Sequence, residues 1–327
     1  MPWRPTSGLL KNRSLVLLSG EDISVPASES KSLFLAADPH STFESPEPRV
    51  LLVDSEADPL AVGARVAFAR RVGYLLNSQS DASRIVTGRR VRFRCFNLGP
   101  TEPQPDAAEY LGGLDATVDL ADPEYEVTLV RGNRDYLAVT DPGGMMQGWS
   151  RRRPRSRPFF HPSAIFPKLS RALVNLTRCR RGDVFLEPFA GTGSIAIEAS
   201  LVGADVVAVD VSAAMARGAL TNMRHFSQEW MGIVRADSVR LPICGVRAVA
   251  TDIPYGRASS TRGRSPEHVL ELLLPELARA VDPGSFLVLM HPQDLPVGSN
   301  SEFGVEEEHH LHVHKLLTRT ITVLKRK

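Results

Sequence analysis

The chain has 327 residues, of which 43% are hydrophobic and 23% are charged, and its formal net charge is +2. This length allows two domains, and the composition excludes a disordered or fibrous chain. No apolar run approaches the ~20 residues of a membrane span, and residues 15–18 are too few for the core of a signal peptide. Three cysteines, Cys95, Cys179 and Cys244, lie too far apart to indicate a zinc ribbon or a disulfide framework. We expect a cytoplasmic protein.

Residues 1–150 are typical of an α+β region. Apolar spacing predicts helices over 29–37 and 61–76. Short apolar or alternating stretches predict strands at 15–18, 50–53, 89–96, 117–120 and 125–130. The Asp-Pro-Gly-Gly sequence at 141–144 ends this half of the chain.

Arginines are concentrated in two places. Five of the seven residues from 151 to 157 are arginines, and this Arg/Pro-rich stretch predicts a linker. A second cluster comprises Arg84, Arg89, Arg90, Arg92 and Arg94. The last four lie on the predicted strand at 89–96, whose outer face is therefore basic. Local positive stripes can bind phosphates although the whole chain is nearly neutral, and the alternative is a solvated surface. The candidate RNA contacts are Arg89, Arg92, Arg94, Arg151, Arg152, Arg153 and Arg155.

After residue 158 strands and helices alternate, which predicts a parallel, doubly wound sheet. The strands are expected at 184–186, 206–209, 233–234, 248–250 and 286–290. Helices are expected between most of them, at 194–201, 213–226 and 266–280. Two further strands, 310–313 and 316–324, follow each other without room for a helix. Such a terminal antiparallel hairpin is typical of Rossmann-like methyltransferases.

A glycine-rich loop, Glu-Pro-Phe-Ala-Gly-Thr-Gly-Ser at 187–194, joins the first strand of this half to a helix. Gly191 and Gly193 permit a tight turn and a close approach to a ligand, and the helix N-terminus offers unpaired N–H groups. A Walker loop needs a lysine that is absent here, and Ala196 replaces the third glycine of the dinucleotide fingerprint. Glu187 would repel phosphate and attract a cation. S-adenosylmethionine, with its zwitterionic methionine part, fits a site that carries this negative charge.

Two more acids follow the next strands. Asp210 ends the second strand, where a carboxylate can accept hydrogen bonds from ribose hydroxyls, and Asp237 ends the third, where it can face an adenine amine. Either acid alone is explained as a helix cap or a surface charge. Together with Glu187 they indicate a cofactor site, because ligands of open α/β sheets bind at the carboxyl ends of the strands. The predicted cofactor-binding residues here are Glu187, Phe189, Gly191, Thr192, Gly193, Asp210, Val211, Asp237, Ser238 and Asp252.

The fourth strand leads into Asp252-Ile253-Pro254-Tyr255, which resembles the Asp/Asn-Pro-Pro-Tyr motif of amino-group methyltransferases. An exocyclic amine on an aromatic base is a poor nucleophile because its lone pair is delocalised. Hydrogen bonds to the Asp252 carboxylate and to a backbone carbonyl of Pro254 or Ile253 would return electron density to the nitrogen. Tyr255 would stack on the base. Ile253 replaces the first proline, so a less rigid loop is expected.

Four stretches form a narrow combination: residues 159–163 (Phe-Phe-His-Pro-Ser), the glycine loop, 251–257 (Thr-Asp-Ile-Pro-Tyr-Gly-Arg) and 312–319 (His-Val-His-Lys-Leu-Leu-Thr-Arg). With them, residues 159–327 resemble the archaeal tRNA guanine-10 N2-methyltransferase family. The resemblance implies a mostly parallel seven-stranded Rossmann-like sheet and S-adenosylmethionine-dependent methylation of a tRNA guanosine, once or twice. It also implies that Phe160 and His161 border the cofactor, and Arg257 in the third stretch joins the candidate RNA contacts.

Residues 1–150 resemble the N-terminal half of the same family more weakly, best at 118–123 (Val-Asp-Leu-Ala-Asp-Pro). In the family, a THUMP domain binds the acceptor end of tRNA and presents the target base. Some members work with a small zinc-containing activator protein, so tRNA and such an activator are the candidate partners. The implied regions are a ferredoxin-like unit over 1–55, a THUMP RNA-binding domain over 56–148, the basic linker over 149–158 and the methyltransferase domain over 159–327.

Other interpretations share parts of this pattern. The same chemistry at another guanosine, in tRNA or rRNA, fits the same motifs. An adenine N6-methyltransferase of DNA shares the tetrapeptide, although the N-terminal half argues against it. Ile253 also allows an RNA-binding scaffold with a decayed active site. The histidines of 309–314 suggest a metal, but ligands so close on one strand diverge, and no metal site is predicted.

Overall fold

The computed structural model describes residues 13–20, 22–99, 103–142, 148–226, 230–254, 263–314 and 317–327. The chain divides into two compact units, Met1–Gln147 and Gly148–Lys327. Each unit is built on one β-sheet. Within the described ranges, no helix is long and apolar enough to span a membrane.

The first unit contains an eight-stranded sheet. Its strands are β1 (Arg13–Leu18), β2 (Thr42–Glu47), β3 (Val50–Asp54), β4 (Ala69–Leu76), β5 (Arg90–Asn97), β6 (Thr117–Val118), β7 (Tyr125–Arg131) and β8 (Asp135–Thr140), in the order β2-β3-β1-β4-β8-β7-β5-β6. Its helices are α1 (Ser24–Ala37), α2 (Pro59–Arg65), α3 (Gln79–Val86) and α4 (Ala107–Leu111). The same sheet contains strands from both predicted N-terminal regions, and the boundary between those regions stays a prediction.

Alternation along the strands gives the first sheet two apolar faces. On one face, Val16 and Val72 pack against α1 and α2 through Phe34 and Val62, and α3 continues this layer over β4, β5, β7 and β8. The opposite face carries a separate buried cluster of Leu15, Leu17, Val50, Leu52, Val130, Tyr136 and Ala138. Burial on both faces explains why these strands read as apolar runs.

The prediction of one helix over 61–76 is wrong. The helix α2 ends at Arg65, and β4 begins at Ala69 as a central strand that pairs with β1 and β8. Because β4 is buried on both faces, its apolar residues mimic helical spacing. Gly73 was the residue in the sequence that argued against a helix and for a strand. A Cβ at this position would lie 2.1 Å from the carbonyl oxygen of Val139 on β8.

The second unit contains a seven-stranded sheet. Its strands are β9 (Val184–Glu187), β10 (Asp205–Asp210), β11 (Gly232–Arg235), β12 (Val246–Asp252), β13 (Val281–Pro292), β14 (Phe303–His314) and β15 (Leu317–Arg326), in the order β11-β10-β9-β12-β13-β15-β14. Its helices are α5 (Pro167–Leu176), α6 (Ser194–Leu201), α7 (Ala213–Phe226) and α8 (Pro266–Ala280). Strands β9 to β13 pair in parallel, and β15 is antiparallel to β13 and β14. The predicted parallel sheet with a terminal antiparallel hairpin is confirmed.

The strand order brings the predicted site residues to one edge of this sheet. From β9 the chain returns through α6 to β10 on one side, whereas β12 lies on the other side of β9. Such a reversal opens a crevice at the carboxyl ends of the strands, where open α/β sheets bind ligands. A core of Leu186, Val249, Leu273 and Leu287 fixes β9, β12 and β13 against α8 beneath it.

Candidate active site

The glycine loop turns through two glycines with positive φ. Gly191 has φ 50° and Gly193 has φ 76°, which is the left-handed region that disfavours other residues. Gly193 is the N-cap of α6. The Gly191 amide donates a 2.8 Å hydrogen bond to Oδ2 of Asp210, and so the loop after β9 is joined to the end of β10.

Glu187 caps the helix that follows the glycine loop. Its Oε2 accepts a 2.8 Å hydrogen bond from the Ala196 amide, and the Ile195 amide also contributes. The side chain is buried, and this burial raises its pKa well above the usual range for a glutamate. The N–H groups that would bind a phosphate in a nucleotide-binding loop are therefore already paired with a carboxylate. The prediction that Glu187 directly attracts a cation is revised to this capping role.

The other two predicted acids also have protein partners. Oδ1 of Asp210 accepts a 2.8 Å bond from the Ser212 amide, and burial raises the pKa of Asp210. Asp237 pairs with Arg264, whose Nη1 lies 3.0 Å from Oδ2 and 3.3 Å from Oδ1. No motif in the sequence pointed to Arg264.

These groups line a crevice of about 390 Å³ at the edge of the sheet. Its size falls in the ~300–1,000 Å³ range of small-molecule pockets. It contains most of the predicted cofactor-binding residues, namely Glu187, Phe189, Gly191, Thr192, Asp210, Val211, Asp237, Ser238 and Asp252, with Pro254 from the predicted catalytic set. The crevice also contains Arg264 and Arg319, which the sequence did not single out as site residues.

Three predicted cofactor contacts do not line the crevice. Phe160 is 47% exposed, and the ring of His161 bonds through Nδ1 to the hydroxyl of Ser163. Residues 162–165, which follow them, form that wall instead. Gly193 contributes to the site indirectly. It is the residue at which the chain turns into α6, and it lies next to Ala219.

Asp252 lies at the end of β12 with its side chain 19% exposed. Arg319 on β15 donates a 2.9 Å hydrogen bond from Nη1 to Oδ2 of Asp252. The other oxygen, Oδ1, is buried and has no hydrogen-bond partner among the described residues. Burial raises the pKa of Asp252 to about 6, although the Arg319 guanidinium opposes that rise. A buried acceptor without a donor costs about 1–3 kcal/mol, so this atom is suited to an N–H donor from a ligand.

Ile253, which departs from the usual proline, is fully buried in the core. Its amide donates a 2.8 Å bond to the carbonyl oxygen of Met290 on β13, which a proline could not do. This bond offsets the expected loss of rigidity. Pro254 lines the crevice. Tyr255 and Arg257 lie outside the described residues, so their predicted roles stay predictions.

Two buried arginines, Arg152 and Arg157, anchor the predicted linker within the second unit. Arg152 donates from Nε to Oε1 of Glu198 at 2.7 Å, and Arg171 donates from Nη2 to Oε2 of the same glutamate at 2.7 Å. Arg157 donates from Nη1 to the Ser194 hydroxyl at 2.5 Å and to the Thr192 hydroxyl at 3.3 Å. The stretch therefore supports the glycine loop, and the prediction of an RNA contact at Arg152 is replaced by this structural role.

The remaining arginines of the predicted linker are exposed, and those near β5 are paired with acids. Arg151, Arg153 and Arg155 are exposed. Arg89 lies 3.4 Å from Glu124. Arg92 and Arg94 contact the buried carboxylate of Glu126, and Arg71 on β4 also reaches it. Three guanidiniums around one carboxylate leave an excess of positive charge, so the basic face predicted for β5 remains a candidate for phosphate binding.

A family model described as the RMKL-like methyltransferase domain (UPF0020) matches residues 154–320. The chain belongs to this family. The match covers the second unit's crevice and both Asp252 and Arg319. The match to the RMKL-like methyltransferase family thus falls on the unit in which the predicted strand-end acids converge.

Proteins with an assigned name are also similar to the chain. A tRNA (guanine(10)-N2)-dimethyltransferase of Methanothermobacter thermautotrophicus is 35% identical over 54% of this chain and 54% of that protein. The protein of that name from Methanocaldococcus jannaschii is 32% identical over 54% of this chain and 51% of its own length. The chain thus matches about half the length of each of these two relatives. A third, from Pyrococcus abyssi, is 24% identical over 84% of this chain and 89% of its own.

A solved structure has the same fold as the chain. TrmN from Thermus thermophilus gives a TM-score of 0.50 at 19% identity, covering 96% of this chain and 100% of that one. This match supports the α/β methyltransferase fold.

Proposed function

We propose that the chain transfers methyl groups from S-adenosylmethionine to the exocyclic N2 of a guanosine in tRNA, at position 10. The observation that carries the proposal is the buried Oδ1 of Asp252, which no described residue pairs with, at the crevice of a methyltransferase-family unit. An amine substrate supplies the N–H donor that this atom lacks. A carbon acceptor would supply no such donor.

The crevice residues fit S-adenosylmethionine, which supplies an activated methyl group on a sulfonium cation. The amides of Ile195 and Ala196 are occupied by Glu187, so the site does not favour a pyrophosphate. Asp210 lies where ribose hydroxyls would bind, and its two observed amide bonds leave acceptor lone pairs free on its oxygens. The carboxylates of Asp210 and Asp252 make the crevice favourable for a positive ligand.

In the proposed reaction Asp252 accepts a hydrogen bond from the N2 amine and so raises the electron density on that nitrogen. The new N–CH₃ bond forms as the S–CH₃ bond breaks, and S-adenosylhomocysteine and one proton are released. Ionised Asp252 stabilises the positive charge that develops on nitrogen. The Pro254 segment holds the amine in line with the methyl group, and positioning of this kind supplies much of the rate.

The choice of tRNA guanosine rests on the names of the relatives and on the first unit. Two relatives at 30% identity or more, and one that matches over most of its length, are named tRNA (guanine(10)-N2)-dimethyltransferase. The three arginines around Glu126 offer phosphate contacts in the first unit. The same proposal includes dimethylation and a THUMP domain over 56–148. It also includes the cytoplasm as the place of action and an activator protein as a partner.

The test is methyl transfer to an unmodified tRNA transcript with labelled S-adenosylmethionine, followed by mass spectrometry of the nucleosides. We expect N2-methylguanosine, and replacement of G10 by adenosine should abolish it. Product that persists in the G10 variant would move the proposal to another guanosine. Absence of product, together with no donor binding by calorimetry, would refute the proposal.

Methyl transfer should depend on pH with an acid limb near pH 6. The pKa of Asp252 is raised to about 6 by burial, so the carboxyl is ionised above this pH and protonated below it. Because the ionised form is the stronger acceptor, kcat should fall about tenfold per pH unit below 6. A profile of kcat from pH 5 to 8 at saturating tRNA measures this, and a flat profile would contradict the assigned role.

A further inference from the structure

We propose that Arg319 is a positioning residue that fixes the Asp252 carboxylate for the amine and keeps it ionised during turnover. The inference rests on the proposed function and deepens it at the same site. It concerns a residue 67 positions from Asp252 in the sequence. Arg319 acts through Asp252, and the amine contacts the aspartate.

The strand order places Arg319 within reach of Asp252. Strand β13 lies between β12 and β15, and Met290 on β13 is the register partner of Asp252. Arg319 is paired with Pro292 on the same strand. Its side chain passes over Met290, with Nη1 3.7 Å from the sulfur, and reaches Oδ2 of Asp252. It therefore spans two strand spacings of ~4.8 Å each, which suits the long arginine side chain.

The bond assigns different tasks to the two carboxylate oxygens. Arg319 holds Oδ2 at 2.9 Å, while Oδ1 has no hydrogen-bond partner in the part of the chain that the structure describes. Rotation of the carboxylate about its terminal torsion would break a charge-assisted hydrogen bond, which is among the stronger kinds. With the side chain of Arg319 83% removed from solvent, the pair is only weakly screened by salt. The free oxygen is therefore held in one direction before the substrate arrives.

Other charged groups face the same crevice, and their titration must be distinguished from that of the Asp252–Arg319 pair. Glu187 at the end of β9 and Asp210 at the end of β10 both have raised pKa values because of burial. Asp237 after β11 is neutralised by Arg264. Among the described groups, the Arg319 guanidinium lowers the pKa of Asp252, against the rise caused by burial. Removal of Arg319 should therefore shift the Asp252 titration upward.

The experiment compares kcat and KM against pH for the full-length wild type, Arg319→Gln and Arg319→Lys with the same tRNA transcript. For Arg319→Gln we expect the acid limb of kcat to move up by about 1 pH unit or more, the scale of an opposite charge at this distance. At pH 7, kcat should fall at least tenfold, about twofold from the shifted titration and the rest from the lost orientation of the carboxylate, with KM for the donor changed less than threefold. Arg319→Lys should recover part of kcat, because a lysine keeps the charge without the planar fork.

Two further variants control the comparison. Arg326→Gln removes another ion-paired arginine from the same strand, 2.7 Å from Glu302, and should leave kcat and its acid limb unchanged. Asp252→Asn should remove the acid limb near pH 6, so a limb that persists belongs to Glu187 or Asp210. An acid limb in Arg319→Gln at the wild-type pH would overturn the proposal. A loss of kcat of equal size at every pH, without rescue by lysine, would also overturn it by indicating a purely structural role.

A direct titration keeps the inference testable if the wild type proves inactive on tRNA, which would count against the proposed function alone. The ¹³C carboxyl signals of aspartate-labelled protein are followed with pH, and Asp252→Asn identifies the Asp252 signal. A higher midpoint in Arg319→Gln than in the wild type supports the inference. An unchanged midpoint refutes it.

Discussion

Replacement of Asp252 with alanine is expected to lower kcat for methyl transfer by about three orders of magnitude, the effect of losing one preorganised group that stabilises developing charge. The variant loses both the acceptor Oδ1 and the negative charge beside the amine. It also leaves the Arg319 guanidinium without its 2.9 Å partner, so a positive charge faces the reacting nitrogen. Steady-state kinetics with tRNA and calorimetry with the donor measure the two effects separately.

The matched control for this variant is Asp282→Ala. Asp282 is 41% exposed and lies 3.6 Å from Arg247 at the surface, so its loss should leave kcat within about twofold. Donor affinity of Asp252→Ala should change less than tenfold, because Asp210 and the glycine loop remain. A variant that retains kcat within tenfold of the wild type would mean that the amine is activated elsewhere.

Replacement of Glu198 with glutamine should destabilise the second unit by about 3–5 kcal/mol, the usual cost of breaking a buried ion pair. The Glu198 side chain is 1% exposed and binds both Arg152 and Arg171. Glutamine keeps the shape but removes the charge, so two buried guanidiniums lose their counter-ion. Urea unfolding followed by tryptophan fluorescence reports this change, and Trp149 contributes to the signal beside Arg152, whose guanidinium lies 4.8 Å from the centre of that ring.

An exposed glutamate provides the comparison for Glu198. Glu271 on α8 is 74% exposed with His268 as its neighbour, and Glu271→Gln should change the free energy of unfolding by less than about 0.5 kcal/mol. The midpoint of Glu198→Gln should fall well below that of this control. Equal midpoints for the two variants would show that Glu198 does not hold the anchored segment.

The sequence predicted well which residues meet at the crevice, because the pattern that places them there is local. Gly191, Asp210, Asp237 and Asp252 each follow a short apolar strand, and parallel strands place their carboxyl ends together. The conformation of Gly191 and Gly193 follows from the absence of a Cβ. These positions needed no knowledge of which strands are neighbours.

Contacts between residues on different strands could not be predicted from the sequence. The contact of Arg319 with Asp252 exists only because β13 lies between their strands, and a strand order of this kind cannot be derived from apolar spacing. Arg152 was predicted to contact RNA from a linker, because its partner, Glu198, is 46 residues away in the sequence. Composition shows a run of arginines but does not show which of them have buried acceptors.

Gly73 has a consequence for how the first unit holds together. Strand β4 lies between β1 and β8, and at Gly73 the backbone of β8 comes too close for any side chain. A larger residue there would push the two halves of the sheet apart and expose two unpaired strand edges. Open edges of this kind recruit other chains. The hydrogen atom that Gly73 carries in place of a methyl group thus keeps these two strand edges paired with each other.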